Sequence, residues 1–194
     1  MTKTTVRMAG LTALLCCLAG LAMPQAALAA SGLALAPGDP APKMVAWTLD
    51  GELQIMEWQG LTLLNFWATW CEACRLEMPE LQKMQEAFGE KGFRVFGLNR
   101  EPISSDEVRT FLEGTGVQYP QLKPDARLAK GWTGINVLPT SYLINAEGKI
   151  LRKYVGASTQ QIEGLRNDIE NLVHGRPMGS MVLGKPEVTQ TKTY

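Results

Sequence analysis

The sequence predicts an α/β domain, a central mixed sheet flanked by helices with an N-terminal β-hairpin extension. Three observations carry that prediction. Leu61 to Ala68 (LTLLNFWA) is an unbroken apolar run of strand length, the pattern of a strand buried on both faces. A helical repeat follows it directly, and a second apolar strand pattern, Phe93 to Leu98, follows the helix. Farther on, two short apolar runs joined by a Gly-containing turn lead into another amphipathic helix.

Taken in order, residues 1–30 stand apart from the rest. Lys3 and Arg7 give a basic start, Met8 to Met23 is almost wholly apolar, and Ala27-Leu28-Ala29 fits a signal-peptidase site. This segment is an export signal peptide or an N-terminal membrane anchor, with residues 8–23 as the tether. Cleavage after Ala29 or Ala30 is the favoured reading, because the run is short for a spanning helix of roughly 20 residues. Either way the folded part lies outside the cytoplasm, in the periplasm. Residues 31–42, rich in Ala, Pro and Gly, read as a linker or ordered lead-in, and the domain as 43–174.

Val45 to Leu49 and Glu52 to Met56 flank Asp50-Gly51, which predicts a hairpin with a two-residue turn. After the Leu61–Ala68 strand a helix starts at Cys71. Leu81, Met84 and Phe88 recur along it at helical spacing, Pro79 implies a kink, and Gly89 ends it. Ser104 with Glu107 is a capping-box pattern opening a short helix through Leu112 that ends near Gly114. Lys130 to Gly134 reads as a short helix or a turn. Thr140 to Ile144 and Ile150 to Val155 form a hairpin across Asn145-Ala146-Glu147-Gly148. Ser158 with Gln161 repeats the capping pattern, and Ile162, Leu165, Ile169 and Leu172 mark the last helix. Residues 175–194 read as an irregular C-terminal tail.

Composition narrows the function. The chain has 194 residues, 45% hydrophobic and 20% charged, with 19 basic residues against 19 acidic ones. That balance argues against a phosphate-binding surface, and nucleic acid is not an expected partner. Of its four cysteines, Cys16 and Cys17 fall in the leader, leaving Cys71 and Cys74. A bridge between residues so close constrains the unfolded chain very little, so the pair is better suited to chemistry than to stapling.

Disulfide exchange needs a thiolate that attacks and a second thiol that resolves the mixed disulfide. At the start of a helix Cys71 meets the first need, because free N–H groups and the helix dipole stabilise its thiolate. Cys74 lies one turn in and meets the second. A zinc site would need further Cys or His ligands. Outside the leader only His174 exists, and it reads as a helix-terminal residue. No metal and no cofactor are expected. Glu77, three residues after Cys74, falls on the same side of the helix, and burial there would raise its pKa. Glu72, beside Cys71, opposes the thiolate and favours a reductant over a strong oxidant. Trp67 and Trp70 shape the surroundings of the cysteines, Trp67 as core and Trp70 as an apolar platform for a substrate chain. Arg75 and Lys83 read as solvated helix positions. Met44, Met56, Met78, Met84 and Met178 are too scattered for a copper site and read as gap-fillers.

The stretch Asn65-Phe66-Trp67-Ala68-Thr69-Trp70-Cys71-Glu72-Ala73-Cys74-Arg75 resembles the active-site strand and helix of the TlpA/ResA-type (CcmG/DsbE-like) thiol–disulfide oxidoreductases, which have a thioredoxin-like fold. Leu138-Pro139-Thr140 resembles their cis-proline loop, and the likeness covers about Gly38 to Val173. The resemblance implies a cis Pro139 that packs against the cysteines and helps bind the substrate backbone, with Leu138 beside the sulfur of Cys71. It also implies a Glu77 that moves protons to and from the thiols, whereas thioredoxin itself has a buried aspartate where this chain has Asn65. Ala73 departs from the family pattern, which often has proline there. The activity so implied is that of a protein-disulfide reductase. Its substrate would be a disulfide-bearing protein such as apocytochrome c before haem attachment, and its electrons would come from a membrane protein of the CcdA or DsbD kind. A broader disulfide oxidase or isomerase of secreted proteins, and a non-enzymatic metal- or partner-delivery module, are the alternatives.

Overall fold

The computed structural model describes residues 34–125 and 131–179. The leader with its 8–23 tether, residues 126–130 and the tail beyond residue 179 lie outside the described residues. Among those described, no helix is long and apolar enough to cross a membrane.

Strands β1 (Val45–Thr48), β2 (Leu53–Ile55), β3 (Leu61–Trp67), β4 (Phe93–Asn99), β5 (Gln121–Pro124), β6 (Thr140–Ile144) and β7 (Ile150–Val155) form one sheet in the order β2-β1-β5-β4-β3-β6-β7. The helices are α1 (Glu72–Phe88), α2 (Ser105–Leu112) and α3 (Thr159–Val173). Strand β3 is the axis, parallel to β4 and antiparallel to β6. It is buried on both faces, as its apolar run requires.

Alternation along β3 divides the core in two. Leu64 and Phe66 join Phe96, Leu98, Trp132, Tyr142 and Ile144 in a cluster made of strands and loops, with no helical residue in it. On the opposite face Leu63 packs against Leu81, Met84 and Phe88 of α1 and Leu165 and Ile169 of α3. Trp67, on that same face, meets Cys74 and Met78 of α1 and Val108 of α2. The helices therefore cover the face that carries the cysteines.

The ends of the helices follow their capping residues. Ser104 accepts from Glu107 N–H, and the Glu107 carboxylate returns to Ser104 N–H at 2.8 Å, a complete capping box. At Ser158 only half of the expected box forms. Its hydroxyl accepts from Gln161 N–H, but the Gln161 side chain turns to the Val155 carbonyl at 3.1 Å. Pro79 sits inside α1 and has no N–H to offer the Arg75 carbonyl.

Three features differ from the sequence reading. The hairpin loop is Leu49–Gly51, one residue longer than expected. Thr48 N–H bonds to Glu52 O at 2.8 Å, and Gly51 takes φ 84, a conformation glycine reaches at little cost. Residues 121–124 form a strand between β4 and β1. The helix at the cysteines starts at Glu72, with Cys71 as its cap. At Gly131–Gly134, the described part of the 130–134 segment, the turn alternative holds. Residues 34–42, meanwhile, dock against the hairpin that leads into β7: Gly38 N–H bonds to Ile150 O and Ala41 N–H to Gly148 O. Of the tail, residues 176–179 have no regular structure, and Met178 packs on the helix-covered core.

Candidate active site

Strand β3 delivers the chain to the C-terminal edge of the sheet, where Ala68-Thr69-Trp70 turns it into α1. Cys71 is the N-cap of that helix. Its backbone is extended and its sulfur accepts from Cys74 N–H at 3.2 Å. Cys71 and Cys74 are joined in a disulfide, with Cα atoms 5.2 Å apart. Cys71 keeps 6% of its surface and Cys74 none, so an incoming sulfur meets Cys71 first. Once the bond is reduced, the Cys74 N–H and the unpaired N–H groups of the first turn face the Cys71 sulfur and favour its thiolate.

The turn before Cys71 is held from two sides. Thr69 N–H and hydroxyl both donate to the Glu101 carboxylate, the hydroxyl at 3.0 Å, and Asn99 Nδ2 donates to the same carboxylate at 3.1 Å. Arg75 donates to the Thr69 carbonyl from Nε at 3.1 Å and from Nη2 at 3.0 Å. Its guanidinium lies 5.2 Å from the centre of the Phe111 ring, which stacks on Trp67. Arg75 is exposed, as its helix position implies, and it is also bonded into the site. It also lies 4.0 Å from the Glu72 carboxylate, which it partly offsets. Lys83 is exposed and pairs with Glu80.

The Leu138–Pro139 bond is cis. Leu138 packs in the same cluster as Cys71 and Cys74, and Pro139 is buried. Thr140 Oγ1 donates to Val137 O at 2.7 Å, and Pro139 O accepts from Gly156 N–H at 2.8 Å, so the loop is fixed on both sides. Trp70 is 71% exposed, while Trp67 is fully buried and donates from Nε1 to Gln121 Oε1 at 2.9 Å.

Glu77, three residues past Cys74 on α1, is 3% exposed. Asn65 Nδ2, at the centre of β3, donates to Glu77 Oε2 at 2.9 Å and to Ser141 Oγ on β6 at 2.9 Å. Burial raises the Glu77 pKa to about 7, against the lowering effect of the Asn65 bond. Tyr119 is buried as well; burial first, and the Glu77 charge second, push its pKa up.

Sequence reasoning singled out Cys71, Cys74, Glu77, Trp70, Leu138 and Pro139, but gave Arg75 no bonded role and passed over Glu101 and Ser141. These last three become parts of the site only through folding, and no local motif marks them.

A two-cysteine helix cap beside a cis-proline loop, on the edge of a mixed sheet, defines a thioredoxin-fold thiol–disulfide oxidoreductase. Comparison with known proteins places it further. The sequence profile of the AhpC/TSA family matches residues 37–153. The chain is 33% identical to the thiol–disulfide oxidoreductase ResA of Bacillus anthracis over 131 residues, which is 66% of this chain and 75% of that protein. It is 30% identical to ResA of Bacillus subtilis over 84% of this chain and 90% of that one. The solution structure of a thiol:disulfide interchange protein from a Bacteroides species superposes with a TM-score of 0.63 at 26% identity, covering 74% of this chain and 93% of the other. The chain belongs to the AhpC/TSA family, and within it to the ResA-type thiol–disulfide oxidoreductases.

Proposed function

We propose that this oxidoreductase works outside the cytoplasm as a specific reductant of protein disulfides, of the kind that serves cytochrome c maturation. The carrying observation is the asymmetry of the pair: a Cys71 at the helix cap that alone keeps a sliver of surface, and a Cys74 with none, three residues from a buried carboxyl whose pKa is raised to about 7. The leader supports export, and Glu72 beside Cys71 supports the reducing direction.

In the forward reaction the Cys71 thiolate attacks one sulfur of a substrate disulfide. A Cys71–substrate disulfide forms, and the other substrate sulfur leaves as a thiolate that takes a proton. Cys74 then loses its proton to the Glu77 carboxylate and attacks Cys71. The substrate's second sulfur departs, and the Cys71–Cys74 disulfide remains. Two electrons have passed from the protein to the substrate. Recharging reverses the sequence. A donor thiolate attacks Cys71, Cys74 leaves as thiolate, and neutral Glu77 returns the proton. A pKa near 7 suits a group that must both take and give. Trp70, Leu138 and Pro139 bind the substrate chain. Apocytochrome c is the proposed client, and a membrane protein of the CcdA or DsbD kind the proposed electron donor.

The test is the reduction potential of the mature protein, equilibrated with dithiothreitol or glutathione and read by tryptophan fluorescence. A value near or below that of thioredoxin, about −270 mV, is expected. A value near about −120 mV would make Cys71 a donor of disulfides and overturn the reductant reading.

A further inference from the structure

The buried polar group of Asn65, Glu77 and Ser141 contains an asymmetry that the exchange reaction can use. Asn65 approaches Glu77 through its amide nitrogen, and a nitrogen of that kind only donates. Its second N–H is taken by Ser141 Oγ, directly across the β3–β6 ladder. The Asn65 oxygen is buried and has no partner among the described residues. Reversing the amide would put oxygen against both Glu77 and Ser141, but would leave two N–H groups in that partnerless place. One unpaired acceptor costs less than two unpaired donors, so the nitrogen-first orientation holds whether Glu77 is charged or neutral.

We propose that Asn65 is the positioning residue for proton transfer: it holds Glu77 by Oε2 and leaves Oε1 alone to carry the transferable proton. Oε2 accepts from Asn65 in both protonation states, and because the carbonyl oxygen of a neutral carboxyl is the better acceptor, the acid form is favoured with its proton on Oε1. As Cys74 attacks Cys71, its S–H proton passes to Oε1, and recharging returns it along the same line. Ser141 acts at one remove, because its hydroxyl pins the amide that pins the carboxyl. This inference rests on the reading of Glu77 as the proton carrier.

The surroundings of Glu77 make its titration interpretable. On its own helix and cap the neighbouring titratable groups are Cys74 and Cys71. From the segment leading into β5 comes Tyr119, whose hydroxyl is buried and responds to the Glu77 charge. Asn65 from β3 and Ser141 from β6 are uncharged, and no charged side chain contributes to the Glu77 shift.

The experiment compares the mature protein with Glu77→Gln, Asn65→Leu and Ser141→Ala. The Glu77 carboxyl is followed by carbon NMR in the oxidised state. The oxidation of each reduced protein by oxidised glutathione is followed as a function of pH. The wild-type carboxyl is expected to titrate near 7. Asn65→Leu should raise that midpoint by about one pH unit, because a donor to the charged form is lost. The same variant should slow ring closure about tenfold, the worth of one hydrogen bond to a charged group. Ser141→Ala keeps the carboxyl's direct donor and the strand's packing, and should give a smaller shift in the same direction. Adding Asn65→Leu to Glu77→Gln should leave the pH profile where Glu77→Gln alone put it. An unmoved midpoint in both Asn65→Leu and Ser141→Ala overturns the positioning role. Should Glu77→Gln keep the wild-type pH profile, it is the proton-carrier reading itself that fails.

Discussion

The two faces of β3 are made by the same seven residues, one step out of phase, and they hold different chemistry. Leu64 and Phe66 look into an aromatic cluster, where Phe66 lies 5.6 Å from Trp132 and 6.1 Å from Tyr142, ring centre to ring centre. Asn65 and Trp67 look toward α1, where they meet Glu77, Ser141 and Gln121 through directed hydrogen bonds. Both faces bury an ionisable group, but burial treats the two oppositely. It pushes the Tyr142 hydroxyl up to about 12, so that side stays neutral at any working pH. It brings Glu77 up to about 7, so the other side changes charge within the working range. One face of the strand is therefore indifferent to pH and the other responds to it.

The largest expected effect lies on the indifferent face. Phe66→Ala should cost about 3–5 kcal/mol, the usual penalty for emptying a buried aromatic site. Since nothing in that cluster titrates between pH 5 and 8, urea unfolding should give the same loss at both ends of the range. A cost that changes with pH across that interval would mean the two faces are coupled, and would break the comparison.

How much of this was legible beforehand depends on whether a residue announces its surroundings. The apolar run of β3, the Ser104 capping box and the cysteine pair at a helix start all carry local signals, and the structure places each of them as its signal implies. Residues 121–124 carry none. Gln-Leu-Lys-Pro, with Pro120 before it, has the composition of a loop. It becomes a strand because β4 and β1 offer partners on both sides. The bonds of Arg75, which is solvated as expected, were hidden for a similar reason. Its Cα belongs to the exposed side of α1, and only the folded turn brings the Thr69 carbonyl within reach of its guanidinium. Asn65 was visible as a polar residue in an apolar strand, but its bond to Glu77 depends on how α1 lies over the sheet. The hairpin loop gained Leu49 because the last cross-strand bond is Thr48 N–H to Glu52 O, which leaves Leu49–Gly51 to turn the chain.

The second effect lies on the responsive face and has the opposite sign. Glu77 moves from an ordinary value of 4.5 to about 7 on folding. Below 4.5 both states hold the proton, and the folded protein carries no penalty. Between 4.5 and 7 the folded state alone stays protonated, so stability falls as pH rises. The accumulated loss above pH 7 is about 3 kcal/mol. Glu77→Gln removes the charge and keeps the shape, so it should stabilise the oxidised protein by about that amount at pH 8 and hardly at all at pH 4. Thermal unfolding at the two pH values measures it. Equal effects at both would show that the carboxyl is not held neutral by the fold.

The smallest effect separates the face from the carboxyl. Trp67→Phe keeps most of the packing against Phe111 and Cys74 but deletes the indole N–H that Gln121 Oε1 accepts. Gln121 has little freedom to seek another donor. Its side chain crosses β4 over Gly97, where an added Cβ would collide with that same oxygen. An acceptor left in place without its donor costs about 1–2 kcal/mol. Neither Trp67 nor Gln121 titrates, so the loss should be the same at pH 5 and pH 8 although both residues share a face with Glu77. If the cost instead grew with pH, the Glu77 charge would be reaching Gln121 through Tyr119, whose hydroxyl answers to both. The pH response would then belong to the whole polar face and not to one carboxyl.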